Sequence, residues 1–241
     1  MNFKIFLKGL VLFMLAFVGS YIIYYFPVSL EEQIDNINLD KYKKVMIVAH
    51  PDDEMLWGGA HLIEDDYLVV CITCGTSAKR LKEFKEVMKA TDDSFIYLGY
   101  PDKDNDIRNE WETCYNNIYF DIEKILNSNK WDLIVTHNPK GEYGHIQHIK
   151  TNKIITDIYN SNNYNSKLYF FGKYYSKKNI INMETHLIPV SEKLLEEKKK
   201  ILDLYDSQSK VIDNFSFIYK YEMWEEYGGK YNEERFKENS F

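Results

Sequence analysis

Short apolar runs rich in β-branched and aromatic residues recur along this chain, and each is followed by a stretch patterned like a helix. The runs are KVMIVA at 44–49, YLVVCITC at 67–74, SFIYLG at 94–99, DLIVTH at 132–137 and KLYFFGKYY at 167–175. Between and after them lie helix-like stretches at 55–64, 80–91, 111–128, 146–160 and 191–208. Strands separated by helices cannot pair as hairpins, so the order predicts an α/β fold, a Rossmann-like, mostly parallel sheet flanked by helices. At 241 residues, 45% of them hydrophobic, the chain has material for one good core, placed here at residues 41–241. It carries no internal repeat, no GxGxxG and no P-loop, so nothing in it points to a nucleotide cofactor.

The amino end differs. After Lys4 and Lys8, residues 9–28 are uncharged and largely apolar, about the ~20 residues that a helix needs to span a bilayer. Two readings compete: an uncleaved membrane anchor over 1–28, or a secretory signal cleaved near Ser20. The apolar run continues past Ser20 to Phe26, longer than a usual signal core, and this favours one transmembrane helix. Lysines before the span and EEQID after it put the amino terminus in the cytosol and the domain on the far side of the membrane. Residues 29–40, polar and Asn-rich, read as a tether.

A net charge of −7 and a pI near 5.5, with lysines scattered among acids, exclude a nucleic-acid partner. Cys71 and Cys74 fall in a strand-like run. Residues three apart on a strand face opposite ways, so the pair reads as small core residues, with Cys114 remote from both.

Chemistry concentrates at two strand ends. The first run closes in AHPDDE and the fourth in THNPKGEYGHIQH, and doubly wound sheets bind ligands beyond the carboxyl ends of their strands. Imidazole nitrogen and carboxylate oxygen together suit zinc, and three protein ligands with one open position describe a hydrolytic centre. His145 and His148 stand three apart where a helix should begin, so both can face one pocket. Gly141 and Gly144 let the backbone pass closely around a bound group. His137, at the strand end itself, is suited to steady a ligand. His61 and His186 have no such company and read as structural. These patterns do not decide which aspartate binds metal and which acts as base.

The chain resembles the PIG-L/LmbE-like family of zinc-dependent N-acetylglucosamine deacetylases. The resemblance is carried by AHPDDEMLWGG at 49–59, GTSAKRLKEF at 75–84, LGYPD at 98–102, THNPKGEYGHIQH at 136–148 and YDSQ at 205–208. It implies an LmbE-like domain with Zn2+, or another divalent metal, on His50, Asp53 and His148. Asp52 is then the general base, and Tyr143 with a protonated His145 steadies the tetrahedral intermediate. Arg80 and Asp102 line the sugar site, while Glu54 and His137 support the metal ligands. The implied substrate is an N-acetylglucosamine-bearing glycan or glycolipid, with the proton for the leaving amine coming from Asp52 or His145.

Many members read His-Pro-Asp-His where this chain reads HIQH. An aspartate there could hold His145 cationic, so Gln147 predicts a shifted pH optimum. Two other readings use the same residues: a zinc amidase cutting a larger acyl group from an amino sugar, and a glycan-binding relative that no longer turns over.

Overall fold

The computed structural model describes residues 28–228. Its first half holds α1 (Leu30–Asp35), β1 (Lys44–Val48), α2 (Asp53–Glu64), β2 (Tyr67–Cys71), α3 (Ala78–Thr91), β3 (Ser94–Tyr97), the hairpin β4 (Lys103–Asp104) and β5 (Ile107–Arg108), and α4 (Tyr115–Asn127). Its second half holds β6 (Leu133–Thr136), the single turn α5 (Gly141–Gly144), α6 (Ile146–Ser161), β7 (Lys167–Phe171), α7 (Lys177–Met183), α8 (Glu192–Leu202), α9 (Ser209–Phe215) and β8 (Trp224–Glu226). The five apolar runs become β1, β2, β3, β6 and β7.

These strands form a sheet in the order β3-β2-β1-β6-β7-β8, parallel throughout except where β8 runs antiparallel to β7. Met46 and Val48 of β1 face a core cluster with α2, α3 and α8, while Val45 and Ile47 face a second one with α4 and α6. Because both faces are covered, the alternation of a half-buried strand is absent, and the runs are apolar end to end. α4 shows the complementary pattern, burying Ile118, Ile122 and Ile125 at helical spacing.

From β1 the chain moves outward to β2 and β3; from β6 it moves the other way, to β7. β1 and β6 are neighbours, registered Met46 to Val135, so the strand order reverses between them. A crevice opens at such a point, beyond the carboxyl ends of both strands.

Two expectations are revised and one element is new. Residues 29–40 are not a free tether: they hold α1 and a 3-10 turn at Leu39–Lys41, and Leu30, Ile34, Ile37 and Leu39 pack against the core. Four apolar side chains spaced among asparagines were enough to fold the segment down. β2 ends at Cys71, and Cys74 starts a turn that returns to the same core cluster, so the two thiols do not face opposite ways; both are free and buried. The β4–β5 hairpin was not foreseen; its tip, Asn105 and Asp106, takes positive φ at both residues, as a tight hairpin turn requires. The expected anchor at 1–28 lies outside the described residues up to Val28, and among the described residues no helix is long and apolar enough to cross a membrane.

A buried charge cluster fixes α8 and the approach to β8 against α2. Lys198 donates to Leu56 O, Tyr219 O and Glu222, and Glu222 also accepts from the backbone of Ala60 and from His61 Nδ1 at 2.8 Å. His61 stacks on Trp224 at 3.6 Å. That histidine therefore has a structural partner on each side.

Candidate active site and metal centre

β1 delivers its chain into the turn His50-Pro51-Asp52 and then directly into α2. Asp52 takes φ 118°, a value that L residues rarely adopt, which turns its side chain toward the crevice at the start of the helix. The conformation is held from behind: Glu54 accepts the Asp52 N–H at 3.1 Å and the Tyr205 hydroxyl at 2.5 Å. Glu54 thus meets the backbone of Asp52 rather than the side chain of a metal ligand.

β6 supplies the opposite wall. Gly141 and Gly144 have φ of 61° and 95°, and Glu142 between them has φ 56°. This backbone folds Glu142 inward, where it is buried and accepts from His148 Nδ1 at 2.5 Å, His137 Nδ1 at 3.0 Å and Asn138 N at 2.9 Å. His137 Nε2 accepts the Ala49 N–H at 3.0 Å, so both its nitrogens are engaged. Glu142 was quoted within the sequence motif but given no role, since only the positive φ reveals that it points at the histidines.

Across the crevice, His50 Nδ1 lies 3.1 Å from Asp53 Oδ2 and 3.1 Å from His148 Nε2, and the latter two atoms are 3.3 Å apart. Donors held at 2.0–2.1 Å by a tetrahedral zinc stand about 3.3 Å from one another. Hydrogen bonding sets the tautomers: His148 gives its Nδ1–H to Glu142, and His50 gives its Nε2–H to Gln147 Oε1 at 2.7 Å. Two bare ring nitrogens and one carboxylate oxygen then face a common point, an arrangement of acceptors that a cation resolves. The residues fit a divalent metal. Wider groupings, His50 with His145 and His148 or Asp53 with His137 and His148, also bring donor atoms near one another. The triangle with every edge at 3.1–3.3 Å is His50, Asp53 and His148.

Asp52 stands beside this triangle without belonging to it. Burial, together with the charge on Asp53, pushes its carboxyl up to about 7 against the pull of Arg80, whose guanidinium is 3.9 Å away. Arg80 also donates to Pro51 O at 2.9 Å and Asp102 at 3.2 Å, which ties the α3 side of the cleft to the first turn. Arg108, a residue the sequence gave no reason to choose, pairs with Asp102. Burial opposes ionisation of Asp102, but His50, Arg108 and Arg80 hold its carboxyl well below the usual range. The cleft they enclose, with Trp57, Tyr143, His145 and Gln208 on its wall, holds about 140 Å³.

Two motif stretches far apart in sequence meet beneath the cleft. Glu83 accepts the backbone N–H of Ser207 at 2.9 Å, and Lys79 pairs with Asp206 at 2.7 Å. The RLKEF and YDSQ segments therefore brace each other, while Arg80 of the first and Gln208 of the second reach the cleft.

Gln147 does not serve His145. It is fully buried, accepts from His50, and donates its amide to Pro101 O, Asp102 O and Asn109 O at 3.2, 3.1 and 2.8 Å. It stitches α6 to the hairpin segment and to His50, a role invisible from its spacing to His145. His145 itself stacks on His148 at 4.3 Å, and its buried Nδ1 has no partner. Burial, then His148 and His50, push its pKa down to about 2, which favours the neutral imidazole over the cation.

Buried imidazole and carboxylate groups at the reversal point of a doubly wound sheet, with a perturbed aspartate alongside, define an α/β protein with a site that could hold a metal ion. Residues 45–159 match the family model described as GlcNAc-PI de-N-acetylase. The chain is 32% identical over 196 residues to an uncharacterised protein of Acanthamoeba polyphaga mimivirus, a match covering 74% of this chain and 77% of that one. The chain belongs to the PIG-L family. Among solved structures, N,N'-diacetylchitobiose deacetylase from Pyrococcus horikoshii superposes with a TM-score of 0.58 at 18% identity, covering 83% of this chain and 90% of its own. The zinc-inhibited form of teicoplanin deacetylase gives 0.54 at 15% identity, covering 73% and 90%. At such identities the likeness is one of fold.

Proposed function

We propose that this protein hydrolyses the N-acetyl group of an N-acetylglucosamine-bearing glycan or glycolipid, with a divalent metal, zinc in first place, held by His50, Asp53 and His148. One observation carries the reading: three donor atoms 3.1–3.3 Å apart, beside an aspartate whose carboxyl is poised near neutral pH. Family membership and two deacetylases of the same fold support the reaction class.

When bound, the metal would acidify a water molecule and polarise the acetamide carbonyl. Asp52 takes the proton from the attacking water, since a base works best with a pKa near the operating pH. Tyr143, half exposed on the cleft wall, keeps its proton, because partial burial and the charges on Asp53 and Asp52 push its pKa up, and its O–H can donate to the oxygen on which negative charge gathers. His145, neutral and with an unpartnered Nδ1, offers a hydrogen bond at the same place and has no proton to give away. Asp52 is then the acid that returns its proton to the departing amine. Arg80, Arg108 and Asp102 supply the charged rim that receives sugar hydroxyls.

The same reading takes residues 9–28 as a membrane segment, with the amino terminus cytosolic and the domain across the bilayer. Its support is the sequence: about 20 apolar residues preceded by Lys4 and Lys8.

The test is acetate release from N-acetylglucosamine oligosaccharides and glycolipids by metal-loaded, chelated and Asp52→Asn protein. Metal-dependent release lost in the variant is expected. Stoichiometric metal with no release from any acetylated amino sugar would overturn the assignment.

A further inference from the structure

Six large apolar side chains are conspicuously exposed among the described residues: Val28, Ile107, Phe120, Tyr143, Ile181 and Ile188. Their distribution is uneven. Ile107 is in the hairpin that follows β3, and Tyr143 is in the segment that leaves β6. Ile181 is on α7, which follows the carboxyl end of β7. Ile188 adjoins Pro189, which bridges Tyr221 just ahead of β8, whose first residue Trp224 pairs with Phe171 at that same end. Val28 is tied there too: Gln33 donates to Val28 O and to Tyr97 O, at the last residue of β3. Five of the six therefore mark the end of the sheet where the cleft opens, and Phe120, on the outer side of α4, is the exception.

The second observation is the missing spacer. With residues 29–40 folded onto the core, the apolar stretch 9–28 ends where the domain begins, beside the carboxyl end of β3. If that stretch is in a bilayer, no slack remains to hold the domain away from it, and the nearest part of the domain is the rim of the cleft. Ile107, Ile181 and Ile188 are 72%, 69% and 73% exposed, and Lys177 and Lys178 stand exposed beside Ile181 where phosphate headgroups would lie.

We infer that the cleft-bearing end of the domain is seated on the bilayer surface, with Ile107, Ile181 and Ile188 entering its interfacial layer. The proposal rests on the membrane reading of residues 9–28. Seated this way, the cleft opens toward the membrane plane.

The experiment uses the full chain in phosphatidylcholine vesicles with brominated acyl chains, comparing Ile107→Trp, Ile181→Trp, Ile188→Trp and Phe120→Trp after subtraction of the native tryptophan signal. Loss of fluorescence at 107, 181 and 188 with none at 120 is expected. Protein that fails to float with the vesicles overturns both the anchor and the seating. Protein that floats with no site quenched, or with 120 quenched equally, keeps the anchor and overturns the seating. Deacetylation of a soluble acetylated oligosaccharide, measured on the same preparations, reports on the catalytic reading separately. The Ile181→Asp, Ile188→Asp double variant should lower turnover of a vesicle-borne acetylated amino-sugar lipid and leave the soluble substrate unaffected; equal effects on both would count against the proposal.

Discussion

Asp52 combines a φ of 118° with burial beside Asp53, and the burial and the neighbouring charge raise the energy of its ionised form. A carboxylate under that load is a stronger base than one in water, which suits proton abstraction. Asp52→Asn keeps the shape and removes the basicity, so kcat should fall by about 10²–10⁴-fold with metal content unchanged, read by steady-state kinetics and metal analysis. The same load has a sign in stability. Its folded pKa of about 7 lies above the ordinary carboxylate value, so in chelated protein the native state binds the extra proton between about pH 4 and 7. The stability it contributes is complete below about pH 4 and is lost as the pH climbs through 7. Melting chelated wild type against Asp52→Asn should show the variant gaining relative stability from pH 4 to 7, and a constant gap would refute the assignment. Gln147 acts one bond further out. Gln147→Leu leaves the His50 Nε2–H without its acceptor, and metal affinity should drop by about 10–100-fold in a chelator competition. Residue identity alone could not show this, because a glutamine's target is set by which loop it is folded against; Glu142 stayed hidden for the same reason, its direction fixed by a backbone angle.

At the scale of elements, the latch between α2, α8 and the approach to β8 makes a distinct claim. Lys198 and Glu222 are both buried, and Lys198 also satisfies two backbone carbonyls. Lys198→Ala strands Glu222 with only His61 and backbone donors, and should cost about 3–5 kcal/mol in denaturant unfolding. Replacing both, Lys198→Met with Glu222→Leu, should cost much less; a double variant as unstable as the single one would show that the charges themselves hold the helices. Elements of this kind divide by how far sequence reaches. β1, β2, β3, β6 and β7 were legible because two covered faces demand unbroken apolar runs, and α4 because one covered face demands a 3.6-residue period. β8, Trp-Glu-Glu, carries neither pattern: an antiparallel edge strand of three residues is defined by its neighbour β7. The 29–40 segment was misread since four apolar residues among asparagines look like linker composition until a sheet edge is there to receive them.

For the whole molecule, the decisive fact is that the metal triangle spans the reversal of strand order. His50 and Asp53 leave β1, whose onward chain builds β2 and β3; His148 belongs to α6, between β6 and β7. An ion bound as proposed would bond the two halves of the sheet across the crevice, and its binding free energy would appear directly as folding free energy. Metal held at 100 times its Kd should stabilise the protein by about 2.7 kcal/mol, and the melting temperature should rise steadily with the logarithm of free metal. Asp53→Ala removes the oxygen that both histidines approach and should flatten that dependence while the fold persists, since the two core clusters lie on the sheet faces and not in the crevice. Calorimetry of both proteins across a buffered zinc series is the measurement. A slope retained in the variant would place the ion elsewhere, and a flat wild type would mean that the two halves are joined by the sheet alone.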